Sequence, residues 1–350
     1  MEPQIEYATA ADGVRIATLA LGNEGGAPLL IAATPPWSHV LLEYRIPAVR
    51  AWTDGVGQTA RVVRYDCRGT GFSDRDALDF SIDAQVRDME AVADHYELAT
   101  FALWGSIGGS PASIAYAARH PERVSQLFLW YGYARGASPF GRPEAGALGE
   151  LLRQDWEMYT DTYAQAAFGW PDSATAAQYA ALTRAAITQE GMVAFVRAMS
   201  RVDVTSEARR VSAPTLVMTR RDSKFSGLED ARELASMISQ ARLLVLDGVS
   251  AAPFLGDTAP VFAAIRDFAD VGAMPRRPKG PLAPLTVREQ QVLRLLASGR
   301  TGKEIATGLE ISLATVQRHI ANIYSKIGAR GRVAAVAYAF EHGMVERAAE

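Results

Sequence analysis

The stretch FALWGSIGGSPASIAYAARHPERV, residues 101–124, reads as a strand, a tight glycine turn and a helix, with Ser106 and Ile107 at the turn. A serine so placed is a candidate nucleophile. At its ordinary pKa a hydroxyl is a poor one, and it needs a base to take its proton. The chain holds five histidines, at 39, 95, 120, 319 and 342, and none between residues 121 and 318. Asp222, in TRRDSKF, is a carboxylate available to orient a base. His39 lies on a loop and is the one imidazole that could serve, although hydrogen bonding to its own backbone is the commoner state of a loop histidine. The lone cysteine, Cys67, reads as a small buried side chain. One cysteine excludes a disulfide framework and a multi-cysteine metal site, and points to a reducing, cytoplasmic setting. No residue set calls for a metal or a cofactor.

Several elements must position these groups. APLLIAAT (27–34), ARVVRYD (60–66), TFALW (100–104), SQLFLWYG (125–132), APTLVMT (213–219) and ARLLVLDG (241–248) are short apolar runs. They alternate with helical segments such as 83–98 and the one starting SPASIAYAARH. Apolar strands alternating with amphipathic helices predict a doubly wound, mainly parallel α/β sheet covered on both faces. Residues 134–210 lack strand-like runs and predict an inserted helical lid. The acidic, alternating N-terminus shows no leader, and no apolar run approaches a membrane span.

The formal net charge of −3 divides unevenly: residues 276–350 carry +6 and the remainder −9. A basic end on an acidic body implies nucleic acid contacted by that end alone. Prolines 275, 278, 281 and 284 recur every third residue, the repeat of a polyproline II spacer. The expected organisation is a domain over 1–271, a linker over 272–284 and a small all-helical domain over 285–350.

Residues 5–270 resemble α/β-hydrolases through YDCRGTGFSDR (65–75), the glycine turn at 105–109, HPERV (120–124), APTLV (213–217) and LDGVSAAPFL (246–255). That family places serine, acid and histidine in this chain order, the serine on a strained strand-to-helix turn. Two registers are open. Ser106 is the nucleophile if Trp104 replaces the upstream glycine; with Gly105 and Gly109 as the flanking glycines, the tip is Ile107. The second keeps small residues where crowding demands them. The resemblance puts Ser223 at the acid position and Ala251 at the histidine position. Thr34 and Pro35 stand where the family carries His-Gly before its oxyanion loop, and proline has no amide hydrogen to donate. The implied result is an apolar cavity that binds a small apolar or aromatic molecule without turning it over. Its expected lining is Thr34, Trp37, His39, Ser106, Ile107, Trp156, Tyr159, Tyr163, Phe168, Trp170 and Ala251. An active hydrolase or lyase using Ser106, Asp222 and His39 is the alternative, and an interaction module with a filled cavity a third reading.

Residues 281–345 resemble the LuxR/FixJ-type helix-turn-helix domain. Thr286 and Glu289 form an expected capping box, Gly299 ends the first helix, and Thr301 starts the second. A third helix, capped at Ser312 or Leu313, carries Val316, Ile320, Ile323 and Ile327 on one face. A fourth, VAAVAYAFEHGMV, is apolar enough to pair with a second copy. By the resemblance, Gln317, Arg318 and Ala321 face base edges, while Lys303, Thr315, Asn322 and Lys326 contact phosphates of double-stranded DNA. Gly302 departs from the asparagine frequent at that point. The implied protein is a ligand-responsive, homodimeric transcription regulator.

Overall fold

A computed structural model describes residues 3–168, 173–223, 228–272, 285–297, 300–309 and 311–327, with positions 335 and 339. The chain divides into two compact units, Met1–Ala273 and Met274–Glu350.

The first unit is built on eight strands: β1 (Glu6–Thr9), β2 (Arg15–Gly22), β3 (Ala27–Ile31), β4 (Ala60–Tyr65), β5 (Phe101–Ser106), β6 (Val124–Trp130), β7 (Thr215–Arg220) and β8 (Ala241–Leu246). Their order across the sheet is β1-β2-β4-β3-β5-β6-β7-β8. From β4 to β8 every pairing is parallel, while β1–β2 and β2–β4 are antiparallel. Each expected apolar run forms a strand. All six residues of β7 and six of the seven in β6 are buried, as both-sided cover requires. The β1–β2 hairpin was not anticipated. Its signal was the Asp12-Gly13 pair between alternating runs, and Gly13 adopts φ +87° at that turn.

Helices cover both faces. On one, Ile82–His95, Ser110–Arg119 and Leu228–Met237 bury Val86, Met89, Ile114, Tyr116 and Leu234. On the other, Pro47–Gly57 and Ala259–Gly272 pack Val49, Trp52, Val261 and Phe268 against Trp104, Phe128 and Trp130. The lid comprises the helices Ala137–Phe140, Pro143–Gln154, Trp156–Phe168, Ser173–Ala186, Gln189–Ser200 and Thr205–Arg210, all between β6 and β7.

The YDCRGTGFSD turn after β4 is held by buried carboxylates. Asp66 accepts the amides of Val40 at 2.7 Å and Phe72 at 2.8 Å, and Asp88 binds the buried Arg68 guanidinium at 2.6 Å. Burial pushes the Asp66 carboxyl up to about 7, against those amides. The folded state therefore holds this proton more tightly than the unfolded chain between about pH 4 and 7, so stability from this group falls as pH rises through that window, by up to about 4 kcal/mol. The stability difference between wild type and Asp66→Asn should shrink from pH 4 to 7 in urea unfolding; a difference independent of pH contradicts this.

In the second unit, helices Val287–Ala297, Gly302–Gly308 and Leu313–Ile327 bury Val292, Leu293, Leu296, Ile305, Val316 and Ile323, together with Ala335 and Ala339. The expected capping box of Thr286 and Glu289 is present, and Thr301, at the start of the second helix, forms another with Glu304. The Ser312 hydroxyl accepts the Thr315 amide at 3.1 Å and so caps the third helix. Of the spacer expected over 272–284, Gly272 is the last residue of the helix Ala259–Gly272; residues 273–284, the expected end at Gly299 and most of the fourth helix lie outside the described residues.

Candidate functional site

The turn after β5 is built around a left-handed residue. Ile107 has φ +46°, a region that strains a β-branched side chain by roughly 1–2 kcal/mol. Two residues before it, a Cβ on Gly105 would lie 2.5 Å from Ser113 Oγ; two residues after it, a Cβ on Gly109 would lie 2.4 Å from the Ala33 carbonyl. Both positions exclude any other residue, so the tip of the turn is Ile107. Ser106, one step earlier, is extended, and its Oγ accepts the Trp104 indole N–H at 2.6 Å. The Ser110 hydroxyl donates to the Ile107 carbonyl at 2.7 Å and anchors the tip from below.

His39 does not meet this serine. It caps the helix Val40–Arg45, its Nδ1 accepting the Leu42 amide at 3.4 Å, and its ring packs edge-on to Phe72. Burial lowers its pKa below the usual imidazole value. Among the described residues no imidazole is hydrogen-bonded to Ser106: His95 bonds Glu6 and His120 bonds Glu90. Asp222 is exposed, and the half-buried Ser223 is hydrogen-bonded with the Tyr131 hydroxyl.

Ala251 is buried in a loop that the protein ties down tightly. Its amide donates to the Ala167 carbonyl of the lid at 2.8 Å, and its carbonyl accepts the Trp130 indole N–H at 2.6 Å. Arg220, at the end of β7, donates to the carbonyls of Ser250 and Ala252 at 3.1 Å and of Leu255 at 2.5 Å. Its guanidinium also lies over the Trp130 ring.

Between the turn, this loop and the lid is a cavity of about 60 Å³. Of the expected lining it gathers Thr34, Trp37, Ser106, Ile107, Phe168 and Ala251. His39, Trp156, Tyr159 and Tyr163 are not among its walls. The three lid aromatics share one face of the helix Trp156–Phe168 at three- and four-residue steps. There they stack on one another, Trp156 on Tyr159 and Tyr159 on Tyr163, and the run ends against Trp37. They are helix-packing core. Trp170 lies outside the described residues.

Sequence reasoning missed much of the remaining wall: Glu43, Trp52, Arg64, Trp104, Trp130 and Tyr179. Glu43 is buried and pairs with the half-buried Arg64, side chains 12% exposed each, and the Tyr179 hydroxyl donates to the other Glu43 oxygen at 3.4 Å. Burial holds the Glu43 carboxyl above the usual range, opposed by the guanidinium beside it. The available signal was a charge set among apolar residues, Glu43 after VLL and Arg64 after VV. No cluster of three or more potential metal ligands occurs among the described residues.

In the second unit, the third helix exposes Gln317, Arg318 and Asn322, with Thr315 half-buried, opposite the buried Val316 and Ile323. The Thr315 and Ser312 hydroxyls are 2.8 Å apart. Lys326, expected on a phosphate, instead reaches the buried Glu289 at 2.7 Å. It thereby ties the third helix to the first, because the carboxylate that closes the Thr286 capping box needs a cation beside it. The side chains of Lys303 and Ala321 lie outside the described residues.

Comparison with known proteins agrees with this two-part construction. Residues 283–339 match the luxR family of bacterial regulatory proteins, and residues 50–188 match the alpha/beta hydrolase fold. Over 62 residues, 18% of this chain, it is 42% identical to the response regulator protein VraR of Staphylococcus aureus and of Staphylococcus epidermidis. Those residues cover 30% of the relatives' length, so the chain spans less than a third of the curated proteins it matches. Among solved structures it is similar to the enol-lactonase from Burkholderia xenovorans LB400, at 22% identity and a TM-score of 0.65, over 76% of this chain and all of that one. An esterase from Exiguobacterium antarcticum gives 21% and 0.65 over the same shares. At these identities the likeness is one of fold. No helix among the described residues is long and apolar enough to cross a membrane. The chain thus joins an α/β-hydrolase-fold unit to a C-terminal segment, residues 283–339, of the luxR helix-turn-helix type.

Proposed function

We propose that the hydrolase-fold unit is a receptor rather than a catalyst, and that a small apolar or aromatic molecule in its cavity controls DNA binding by the helix-turn-helix unit. The observation that carries this is the turn itself. Its left-handed tip, where a nucleophile is presented in this fold, bears the hydrocarbon side chain of Ile107. The neighbouring chemistry points the same way. Ala251 stands at the histidine position, its loop is bonded to Arg220 and Trp130, and the Ser106 hydroxyl is engaged by Trp104. Among the described residues no imidazole is hydrogen-bonded to Ser106, which supports occupancy rather than turnover as the signal. The ligand acts by favouring one arrangement of the DNA-binding units over another. A dimer reading two half-sites in the cytoplasm is the form this reading expects.

The test pairs turnover with binding. The purified protein should cleave p-nitrophenyl acetate no faster than its Ser106→Ala variant. In a thermal-shift screen, small aromatic and lactone compounds should raise the melting point of the tryptophan-bearing unit. Ester cleavage that disappears in Ser106→Ala would favour the enzyme reading, with Ser106 as its nucleophile.

A further inference from the structure

An ion pair in a cavity wall is an expensive way to build a wall. Removing two charges from water is offset only in part by their mutual attraction, and apolar replacements of similar volume are often neutral or stabilising. Glu43 and Arg64 come from two elements, the short helix Val40–Arg45 and β4, and meet among Trp52, Trp104 and Trp130. The Arg64 guanidinium donates to Glu43 and carries further N–H groups that this cavity-lining side chain can donate. The Trp52 indole N–H, on a residue 6% exposed in the same wall, has no hydrogen-bond partner among the described residues. The cavity thus offers donors. Its charges already cancel, so an ionised carboxylate entering beside Glu43 adds an uncompensated negative charge, and an ammonium does the same beside Arg64.

We propose that the Glu43–Arg64–Tyr179 cluster selects the ligand, admitting a small neutral ring compound through a carbonyl oxygen (a cyclic ketone, lactone or ester) and rejecting both its hydrocarbon isostere and its carboxylate. This rests on the receptor reading above and names its ligand class. The cavity volume of about 60 Å³, less than half the roughly 150 Å³ that accommodates a benzene, restricts the ligand to about one ring even with adjustment of the lid. A site built to donate hydrogen bonds rejects an analogue without the acceptor, because the donors are then left unpaired in a dry cavity.

The test uses the full chain and three probes: cyclopentanone, methylenecyclopentane and cyclopentanecarboxylate. Binding is followed by quenching of tryptophan fluorescence, since Trp37, Trp52, Trp104 and Trp130 line the cavity. Cyclopentanone should bind at least tenfold more tightly than methylenecyclopentane, and at neutral pH the carboxylate should bind more weakly than the ketone. The double variant Glu43→Leu/Arg64→Met should fold with an unchanged or higher Tm and lose the preference for the ketone. Equal binding of ketone and hydrocarbon by the wild type, tighter binding of the carboxylate, or a preference that survives in the folded double variant, overturns this inference and leaves the receptor reading standing. Failure of every probe to bind overturns both.

Discussion

Arg220→Ala is expected to destabilise the hydrolase-fold unit by about 4 kcal/mol, the largest single-residue effect anticipated in this protein. The guanidinium is 2% exposed, so water does not replace it when it is removed. Three carbonyl contacts, to Ser250, Ala252 and Leu255, lose their donor at once, and each bond to a charged donor contributes about 1.5–3 kcal/mol without strict additivity. The contact with Trp130 goes with them. Arg220→Lys should recover only part of the loss, since one ammonium cannot span three acceptors in the geometry of a planar fork. All six tryptophans fall between residues 37 and 170, so tryptophan fluorescence during urea unfolding reports this unit alone. An Arg220→Ala variant within about 0.5 kcal/mol of wild type, a difference typical of plain surface substitutions, would show that the loop holds itself. The same change should loosen the loop bearing Ala251, and any ligand that depends on that wall should bind more weakly.

The second large effect belongs to the other unit. Arg318→Ala should weaken binding to a duplex selected in vitro by the intact protein by roughly 10- to 100-fold, and relax the preference at one base position. Arg318 is exposed on the face opposite Val316 and Ile323, so the substitution removes recognition without touching the helix packing. Lys326→Ala offers the contrast. Its ammonium is held 2.7 Å from Glu289, which is only 3% exposed, and removing it strands a buried carboxylate. That variant should lose stability of about 1–3 kcal/mol. Its salt dependence of binding should stay close to wild type. Gel shifts across a salt series separate the two. Unchanged affinity in Arg318→Ala, or a salt slope reduced by about one in Lys326→Ala, contradicts these assignments.

Much of this was legible along the chain, and where it was not the reasons are physical. Gly105 and Gly109 could be read as the flanking glycines because each meets a neighbour only a few residues away or on the adjacent strand end. Trp156, Tyr159 and Tyr163 could be read as a helical stripe, but a stripe says only that one face is covered, not by what. They turned out to cover each other and Trp37. Lys326 shows the same limit on the polar side: helical spacing placed it on the third helix, and the first helix, 37 residues earlier, claimed its charge. The β1–β2 hairpin is signalled only by Asp12-Gly13 between two short alternating runs, a local cue that says nothing of which strand β2 pairs with on its other side.

By itself the sequence determined the division into an acidic α/β body and a basic helical end, the helix caps at Thr286 and Thr301, and the lack of any histidine from 121 to 318. These are properties of composition and of neighbours three or four residues apart, and no folding can supply an imidazole that the chain does not contain. Tertiary structure decided the left-handed backbone at Ile107, the tethering of Ala251 by Arg220 and Trp130, and the meeting of Glu43, Arg64 and Tyr179. Those depend on strands and helices separated by as many as 136 residues being brought within hydrogen-bond reach. Local periodicity carries no record of which distant side chain will stand opposite, so the character of the cavity is settled only when the sheet assembles and the lid closes over it.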